Sequence, residues 1–189
     1  MPITIDAIRY ASSQVKKAAS RTLHEAKASN LATAFLCHSH DDSDLVKGII
    51  NMLANEGWDV YVDWEDSAMP AAPERETALR IQQKIVELKY FIFLATPNSV
   101  GSRWCPWEIG YANGKKHIDQ ILIIPTTDRS GVWYGSEYLQ LYRGIDQADQ
   151  GGLAVWSPGQ SRGGVEHLPH ARAALGAFVA DDHHIARDD

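Results

Sequence analysis

Short apolar runs alternate with segments of helical periodicity through the middle of the chain. Four runs are predicted to be β-strands, at 32–37, 58–63, 90–95 and 121–126. The run at 90–95 is apolar throughout, as expected for a parallel strand that is covered on both faces. Apolar residues recur at helical spacing between these runs, as Leu45, Val46, Ile49, Ile50 and Leu53, as Ala78, Ile81, Ile85 and Leu88, and in a third helix that starts near Pro106. Successive βα units predict an α/β flavodoxin-like fold, with a central parallel sheet and helices on both faces.

The loops that follow the strands are the expected functional edge of this sheet. In open α/β folds, ligands bind outside the carboxyl ends of the strands. The loops in question span 38–43, 64–74, 96–105 and 126–137. The segment 64–74 contains two prolines and lacks periodicity, so we predict a long loop there, and we predict a loop after the third strand as well.

Charge is distributed unevenly and divides the chain into three parts. Residues 1–30 carry a net charge of +3, residues 31–145 of −5 and residues 146–189 of −4. We therefore expect an N-terminal helical extension, a central domain, and a C-terminal segment with a helix near 170–180 and an acidic tail. The extension has a stripe of mainly apolar side chains at helical spacing, formed by Ile8, Ser12, Val15, Ala19, Leu23 and Ala26. We expect this stripe to pack on the domain or on a partner subunit, and a membrane-surface helix is the alternative.

Composition excludes several classes of protein. The 189 residues correspond to one domain with short appendages, and the net charge of −6 argues against nucleic acid as a partner. No apolar run reaches the roughly 18 residues that a membrane-spanning helix requires, and the N-terminus lacks a signal-peptide pattern. The two cysteines make neither a disulfide framework nor a zinc pattern. We expect a cytoplasmic protein without membrane or nucleic-acid partners.

Glu108 is the residue most suited to chemistry. It follows Pro106 in the first turn of a predicted helix, where a glutamate commonly complements the helix dipole or completes a capping box. Its neighbours Trp104, Cys105 and Trp107 suggest a second role, because a carboxylate among aromatic rings has a perturbed proton affinity. Such a carboxylate can stabilise an oxocarbenium-like centre as a leaving group departs.

Two polar segments could in principle bind a metal ion. The acidic loop 63–66 lacks the spacing and the glycine of an EF-hand, so a solvated loop is favoured. His38 and His40 flank Ser39 after the first strand, but the sequence shows no third ligand cluster to complete a zinc site. A polar floor for a ligand or an N-cap is the favoured role of this segment, and we expect no metal and no cofactor.

Three motifs in order resemble a Toll/interleukin-1 receptor (TIR) domain. They are FLCHSHDDSD, WDVYVDWEDSAMP and LATPNSVGSRWCPWEIGYA, and the similarity runs from about Ala32 to Asp128, less clearly to 145. The chain is most similar to bacterial TIR proteins, including those of anti-phage systems such as Thoeris.

This resemblance implies an enzyme that cleaves NAD⁺ at the nicotinamide–ribose bond, with NAD⁺ as substrate and no metal. The family's catalytic glutamate corresponds to Glu108. The substrate-binding residues implied are Cys37, His38, Ser39, His40, Asp63, Trp64, Arg103, Trp104, Cys105 and Trp107. The resemblance also implies self-association through the loop 64–74, and a downstream effector that senses the nucleotide product.

Two other functions stay open at this point. A non-catalytic TIR scaffold would signal by homotypic contacts through the loop 64–74. A nucleoside deoxyribosyltransferase shares the sheet topology and uses a glutamate nucleophile, although the W-C-x-x-E setting of Glu108 speaks against it.

Overall fold

A mainly parallel sheet with helices on both faces is the central feature of the fold. The computed structural model describes residues 2–14, 31–69, 75–134, 137–149, 151–158 and 166–167. Within them the strands are β1 (Ile3–Thr4), β2 (Ala32–Cys37), β3 (Trp58–Tyr61), β4 (Tyr90–Ala95), β5 (Ile121–Thr127), β6 (Trp133–Tyr134), β7 (Arg143–Gln147), β8 (Leu153–Trp156) and β9 (Glu166–His167). The helices are α1 (Ile5–Ser13), α2 (Ser43–Asn55), α3 (Arg75–Glu87), α4 (Pro97–Gly101) and α5 (Cys105–Asn113).

The strand order confirms the flavodoxin-like prediction. It runs β3-β2-β4-β5-β7-β8-β9. Along this order, each neighbouring pair from β3 to β7 is parallel, whereas β8 and β9 are antiparallel additions at one edge. The chain order reverses direction in space between β2 and β4. In doubly wound sheets, such a switch point leaves a crevice at the carboxyl ends of the strands.

The apolar character of β4 follows from its central position. Tyr90, Ile92 and Leu94 pack into the core on the face that carries α2. Phe91 and Phe93 alternate with them and pack into the core on the face that carries α3 and α5. Because successive side chains of a strand point to opposite faces, a strand covered on both sides must be apolar at every position.

Two local predictions need correction after β3 and β4. The strand β3 ends at Tyr61 rather than at Asp63, because a 3₁₀ turn over Asp63–Glu65 takes over. The segment after β4 is not all loop, since α4 occupies Pro97–Gly101. Thr96 and Ser99 form a capping box around Pro97, whose fixed φ suits the first turn of a helix.

The N-terminal segment is joined to the sheet. The short strand β1 pairs in parallel with β5, and α1 follows it directly and packs against α2. The rest of the predicted N-terminal stripe, from Val15 onward, lies outside the described residues. In the residues that the structure describes, no helix is long and apolar enough to cross a membrane.

At the other end, the sheet extends beyond the expected boundary of the central domain at residue 145, because β7 continues to Gln147 and β8 and β9 follow it. The helix predicted near 170–180 lies in the part of the chain that the structure does not describe. The division of the chain into three parts stays a prediction.

The contact between α1 and α2 depends on a glycine. A Cβ atom at Gly48 would lie 2.8 Å from Ile8 Cγ2 and 2.9 Å from the Ile8 carbonyl carbon, and still closer to its oxygen. We expect Gly48→Ala to destabilise the fold by about 1–3 kcal/mol, because backbone atoms of α1 would have to shift. Gly110→Ala is the matched control, since its Cβ would meet nothing within 4 Å. Urea unfolding of both variants tests this, and equal stabilities would contradict the close packing.

Candidate active site

Glu108 lies on α5 at the carboxyl edge of the sheet. Its side chain is only 6% exposed, although it belongs to the first turn of the helix. Cys105 and Ile109, on the same helix, are buried in the apolar core against β2 and β4. The packing of α5 against the sheet therefore carries the carboxylate into the protein, beside the point where the strand order reverses.

Glu108 does not take the capping role that a first-turn glutamate commonly has, since the N-cap position of α5, Trp104, has no side-chain cap hydrogen bond. The backbone N–H groups of Trp104 and Cys105 approach the Ser102 hydroxyl, at 3.1 and 3.4 Å. The Glu108 N–H donates within the helix to the Trp104 carbonyl at 2.9 Å. The N–H groups that open the helix therefore approach Ser102 rather than the Glu108 side chain.

The surroundings of Glu108 make its carboxyl group a weak acid. Burial raises its pKa from 4.5 to about 7, and the negative charge of Asp63 adds to the rise. The Cys37 thiol and His40 act in the opposite direction, because each favours the ionised form. A carboxyl group with such a pKa exists in both protonation states near neutral pH.

Cys37 ends β2 beneath this carboxylate. Its Sγ atom lies 3.9 Å from the Cys105 carbonyl oxygen, and its side chain is fully buried. Burial raises the pKa of the thiol well above its ordinary value, with the nearby Glu108 charge contributing. The group is therefore a neutral hydrogen-bond donor rather than a thiolate nucleophile.

His38 and His40 follow β2 and both face Asp63, which follows β3. His38 Nε2 lies 3.4 Å from Asp63 Oδ1, and His40 Nε2 lies 3.2 Å from Asp63 Oδ2. His38 is buried and His40 is exposed, and burial lowers the pKa of His38. Their potential ligand atoms all lie within 4.8 Å of one another. Asp63 is thus the third ligand-bearing residue that the sequence alone did not place beside the two histidines.

Ser39 has a local structural role. Its side chain caps the 3₁₀ turn over His40–Asp42 and accepts from the Asp41 N–H at 3.4 Å. This is the N-cap alternative that the sequence suggested for the segment after β2.

The acidic segment after β3 divides into two halves with different partners. Asp63 faces the two histidines, whereas Asp66 receives two hydrogen bonds from Arg80 on α3, at 2.7 and 2.8 Å, and one from Tyr61 at 2.7 Å. Hydrogen bonding to Arg80 lowers the pKa of Asp66 to about 2. This ion pair, which the sequence did not reveal, fastens the start of the loop to α3 while Trp64 stays partly exposed.

Four aromatic residues lie beside the polar cluster or at the start of α5 and on it. Trp64 packs edge-on against His38, with ring centroids 4.4 Å apart. Trp104 and Trp107 form an edge-to-face pair at 5.4 Å, and Trp107 also stacks on Tyr111. Trp104 is partly buried and Trp107 is partly exposed, so Trp107 presents a surface on which a ring could stack. Arg103 is exposed just before α5, where a cation could meet a phosphate group.

A buried network that sequence reasoning missed holds the two central loops together. Asp42, after β2, accepts from the Thr96 hydroxyl at 2.5 Å and from the Asn98 amide at 2.7 Å. Ser99 donates to the Leu94 carbonyl at 2.6 Å and completes the turn after β4. The Thr-Pro-x-Ser pattern at 96–99 is a capping-box signal, and it could have indicated this ordered turn.

Comparison with known proteins identifies a family and two relatives of this chain. The TIR domain family matches residues 34–158. A protein of Bacillus cereus named "Probable 3' cyclic ADP-D-ribose synthase ThsB'" is 36% identical over 110 residues, which are 57% of this chain and 57% of that protein. A Cytobacillus dafuensis protein named "Putative cyclic ADP-D-ribose synthase TIR2" is 28% identical over 81 residues, 41% of this chain and 21% of that protein.

The chain therefore spans just over half the length of the first of these relatives and about a fifth of the second. The family match includes most of β2, all of β3 to β5, β7 and β8, and the segments that carry His38, Asp63 and Glu108. With this strand order and this match over most of its length, the chain belongs to the TIR domain family.

Proposed function

We propose that this protein cleaves NAD⁺ at the bond between nicotinamide and ribose. The observation that carries the proposal is the buried Glu108 carboxylate at the switch point of the sheet, which its own helix does not use as a cap. Both relatives are named as cyclic ADP-D-ribose synthases. A cyclic or linear ADP-ribose signal in anti-phage defence is the product and the process that we propose here.

The proposed reaction needs a negative charge beside the ribose rather than a strong nucleophile. When the bond between ribose C1′ and the nicotinamide nitrogen breaks, its electron pair moves to the nicotinamide ring and neutralises it. The ribose becomes an oxocarbenium-like cation, and ionised Glu108 stabilises it while accepting hydrogen bonds from the ribose hydroxyls. Water then adds and loses a proton to give ADP-ribose, or a nucleophilic atom of the same molecule closes a ring.

The remaining residues around Glu108 are assigned roles by their surroundings. In this proposal the segment from Cys37 to His40 lies beneath the bound substrate, and Asp63 with Trp64 contacts it from the side of β3. Trp107 is the proposed stacking surface, supported by Trp104 and Cys105, and Arg103 contacts the phosphates. The acidic character of the segments after β2 and β3 favours the cationic nicotinamide end of NAD⁺ over its pyrophosphate.

The surroundings of the enzyme are also part of the proposal. Its two described cysteines are buried and free, which fits a reducing compartment, and we place the protein in the cytoplasm. We propose that copies associate through the loop 64–74 and complete each other's sites, and that an effector protein senses the product. The anchoring of Asp66 to Arg80 supports a loop whose beginning is held in place.

The test is nicotinamide release from NAD⁺ by the purified protein, followed by chromatographic separation of nicotinamide, ADP-ribose and cyclic products. We expect release of nicotinamide, with a specific activity that rises with protein concentration because association completes the site. An activity that is independent of concentration would contradict the role of association. No release, even when the protein is concentrated enough to associate, would contradict the enzyme and leave the TIR scaffold as the better account.

A further inference from the structure

The side chain of His38 is held in a way that leaves one nitrogen without a partner. Its Nδ1 lies 2.8 Å from the Leu36 carbonyl oxygen, and a carbonyl oxygen can only accept, so Nδ1 carries a proton. In the neutral ring, Nε2 then presents a lone pair. Nε2 is buried and makes no hydrogen bond, and the whole residue is 8% exposed.

The atoms that Nε2 faces are also lone-pair donors. Asp63 Oδ1 is 3.4 Å away, without a hydrogen bond between the two, whereas His40 Nε2 is hydrogen-bonded to Asp63 Oδ2 at 3.2 Å. The Nε2 lone pair of His38 and the Asp63 carboxylate repel each other unless a cation lies between them, and exposed His40 can turn its own nitrogen to the same cation. The arrangement therefore indicates a ligand of positive charge.

We propose that His38, His40 and Asp63 bind a late first-row divalent metal ion, with Zn²⁺ as the best fit. Zinc bonds of about 2.0–2.1 Å in a tetrahedron place neighbouring ligand atoms roughly 3.3–3.4 Å apart. The separation of His38 Nε2 from Asp63 Oδ1, 3.4 Å, matches this spacing, whereas the 3.2 Å from His40 Nε2 is measured to the other carboxylate oxygen, Oδ2. All three ligand atoms lie within 4.8 Å of one another. Because His40 is exposed, its side chain can move closer to the other two ligand atoms.

The donor set selects among metal ions. Imidazole nitrogens suit Zn²⁺, Co²⁺, Ni²⁺ and Cu²⁺, whereas Mg²⁺ and Ca²⁺ prefer oxygen ligands throughout. The groups around the ligands are also those that a metal site uses. The Leu36 carbonyl fixes the tautomer of His38, and the Trp64 N–H donates to Asp63 Oδ1 at 2.9 Å and orients that carboxylate.

A bound ion would join the segments after β2 and β3 beside the Glu108 carboxylate. Asp63 and His40 are close enough to act on that carboxylate electrostatically. A divalent cation at this position would oppose the cationic nicotinamide and the developing ribosyl cation. Zinc is therefore an inhibitor of the reaction, an effect that rests on the proposed NAD⁺ cleavage, whereas binding itself does not.

The binding test uses untagged protein that carries the substitutions His183→Ala and His184→Ala. These substitutions remove the paired histidines near the end of the sequence, which could compete for the metal ion. Titration with Co²⁺, followed by visible absorption, should show one tight equivalent with the intense bands of a tetrahedral site, and Zn²⁺ should displace it. His40→Ala and Asp63→Asn should each weaken Co²⁺ binding at least about 10-fold. These positions are preferred to buried His38, whose replacement could disturb folding.

His117→Ala is the matched control, because His117 lies 3.3 Å from Asp119 as an isolated exposed pair, and it should leave Co²⁺ binding unchanged. Failure to take up one equivalent, or equal binding by His40→Ala and Asp63→Asn, would overturn the site. Nicotinamide release with Zn²⁺, relative to each protein's rate in EDTA, tests the inhibition separately. If Zn²⁺ inhibits the parent protein but not the His40→Ala variant, the inhibitory role is supported. If the parent protein binds metal and its rate does not change, the inhibition is overturned but the binding site is not.

Discussion

Replacement of Glu108 by glutamine is expected to lower kcat/KM for NAD⁺ cleavage by about 10²–10⁴-fold. The amide has nearly the size and shape of the carboxyl group, so the buried packing around α5 is preserved. What is lost is the negative charge that stabilises the developing ribosyl cation. The expected loss therefore lies in the chemical step, and the binding of NAD⁺ should change less than kcat.

Glu87→Gln is the matched control for this substitution. Glu87 ends α3 and pairs with Lys84 at 2.9 Å on the surface, in a region to which we assign no role in the reaction. Its kcat and KM should equal those of the parent protein when nicotinamide release is followed by chromatography. A Glu108→Gln protein that is as active as Glu87→Gln would show that another group performs the chemistry.

The same substitution is expected to stabilise the protein at alkaline pH. Burial raises the pKa of Glu108 from 4.5 to about 7, so between these values the folded protein retains a proton that the unfolded chain releases. The carboxyl group's contribution to stability is complete below pH 4.5 and is lost as pH rises through 7. This difference in pKa between the folded and unfolded states corresponds to about 3 kcal/mol of unfolding free energy. Glu108→Gln, which cannot ionise, should gain that much relative to the parent protein between pH 4.5 and pH 8.

Urea unfolding of the parent, Glu108→Gln and Glu87→Gln proteins at several pH values measures this difference. All other titrating groups are shared, so those that do not interact with Glu108 cancel when two proteins are compared at one pH. The Glu87→Gln protein should follow the parent to within about 0.5 kcal/mol. A constant difference between Glu108→Gln and the parent across the range would contradict a buried carboxyl group with a raised pKa.

The sequence predicted the parallel strands because their patterns are local. A strand buried on both faces must be apolar at each position, and 90–95 shows this directly. The short helix α4 is not evident from the hydrophobic pattern, because only the Thr96–Ser99 capping box marks it in a segment with little periodicity. The strands beyond residue 145 were missed because short edge strands carry little hydrophobic pattern, and their pairing is decided by distant residues.

The candidate site was predicted unevenly for a similar reason. Glu108 stands out in the sequence because of its aromatic neighbours, although its burial is a property of the fold. Asp63 is separated from His38 by the whole of α2 and β3, so only the parallel pairing of β2 with β3 brings them together. The partners of Asp42 and Asp66 likewise belong to other elements, and no local pattern identifies them.

The most direct test of the central claim is a single-turnover measurement with protein in excess over NAD⁺, so that association and product release do not limit the rate. Nicotinamide formed in one turnover is measured for the parent and Glu108→Gln proteins at the same high concentration. We predict full conversion of NAD⁺ by the parent and a rate constant lower by about 10²-fold or more for Glu108→Gln. Equal rate constants for the two proteins would contradict the assignment of the reaction to the Glu108 carboxylate.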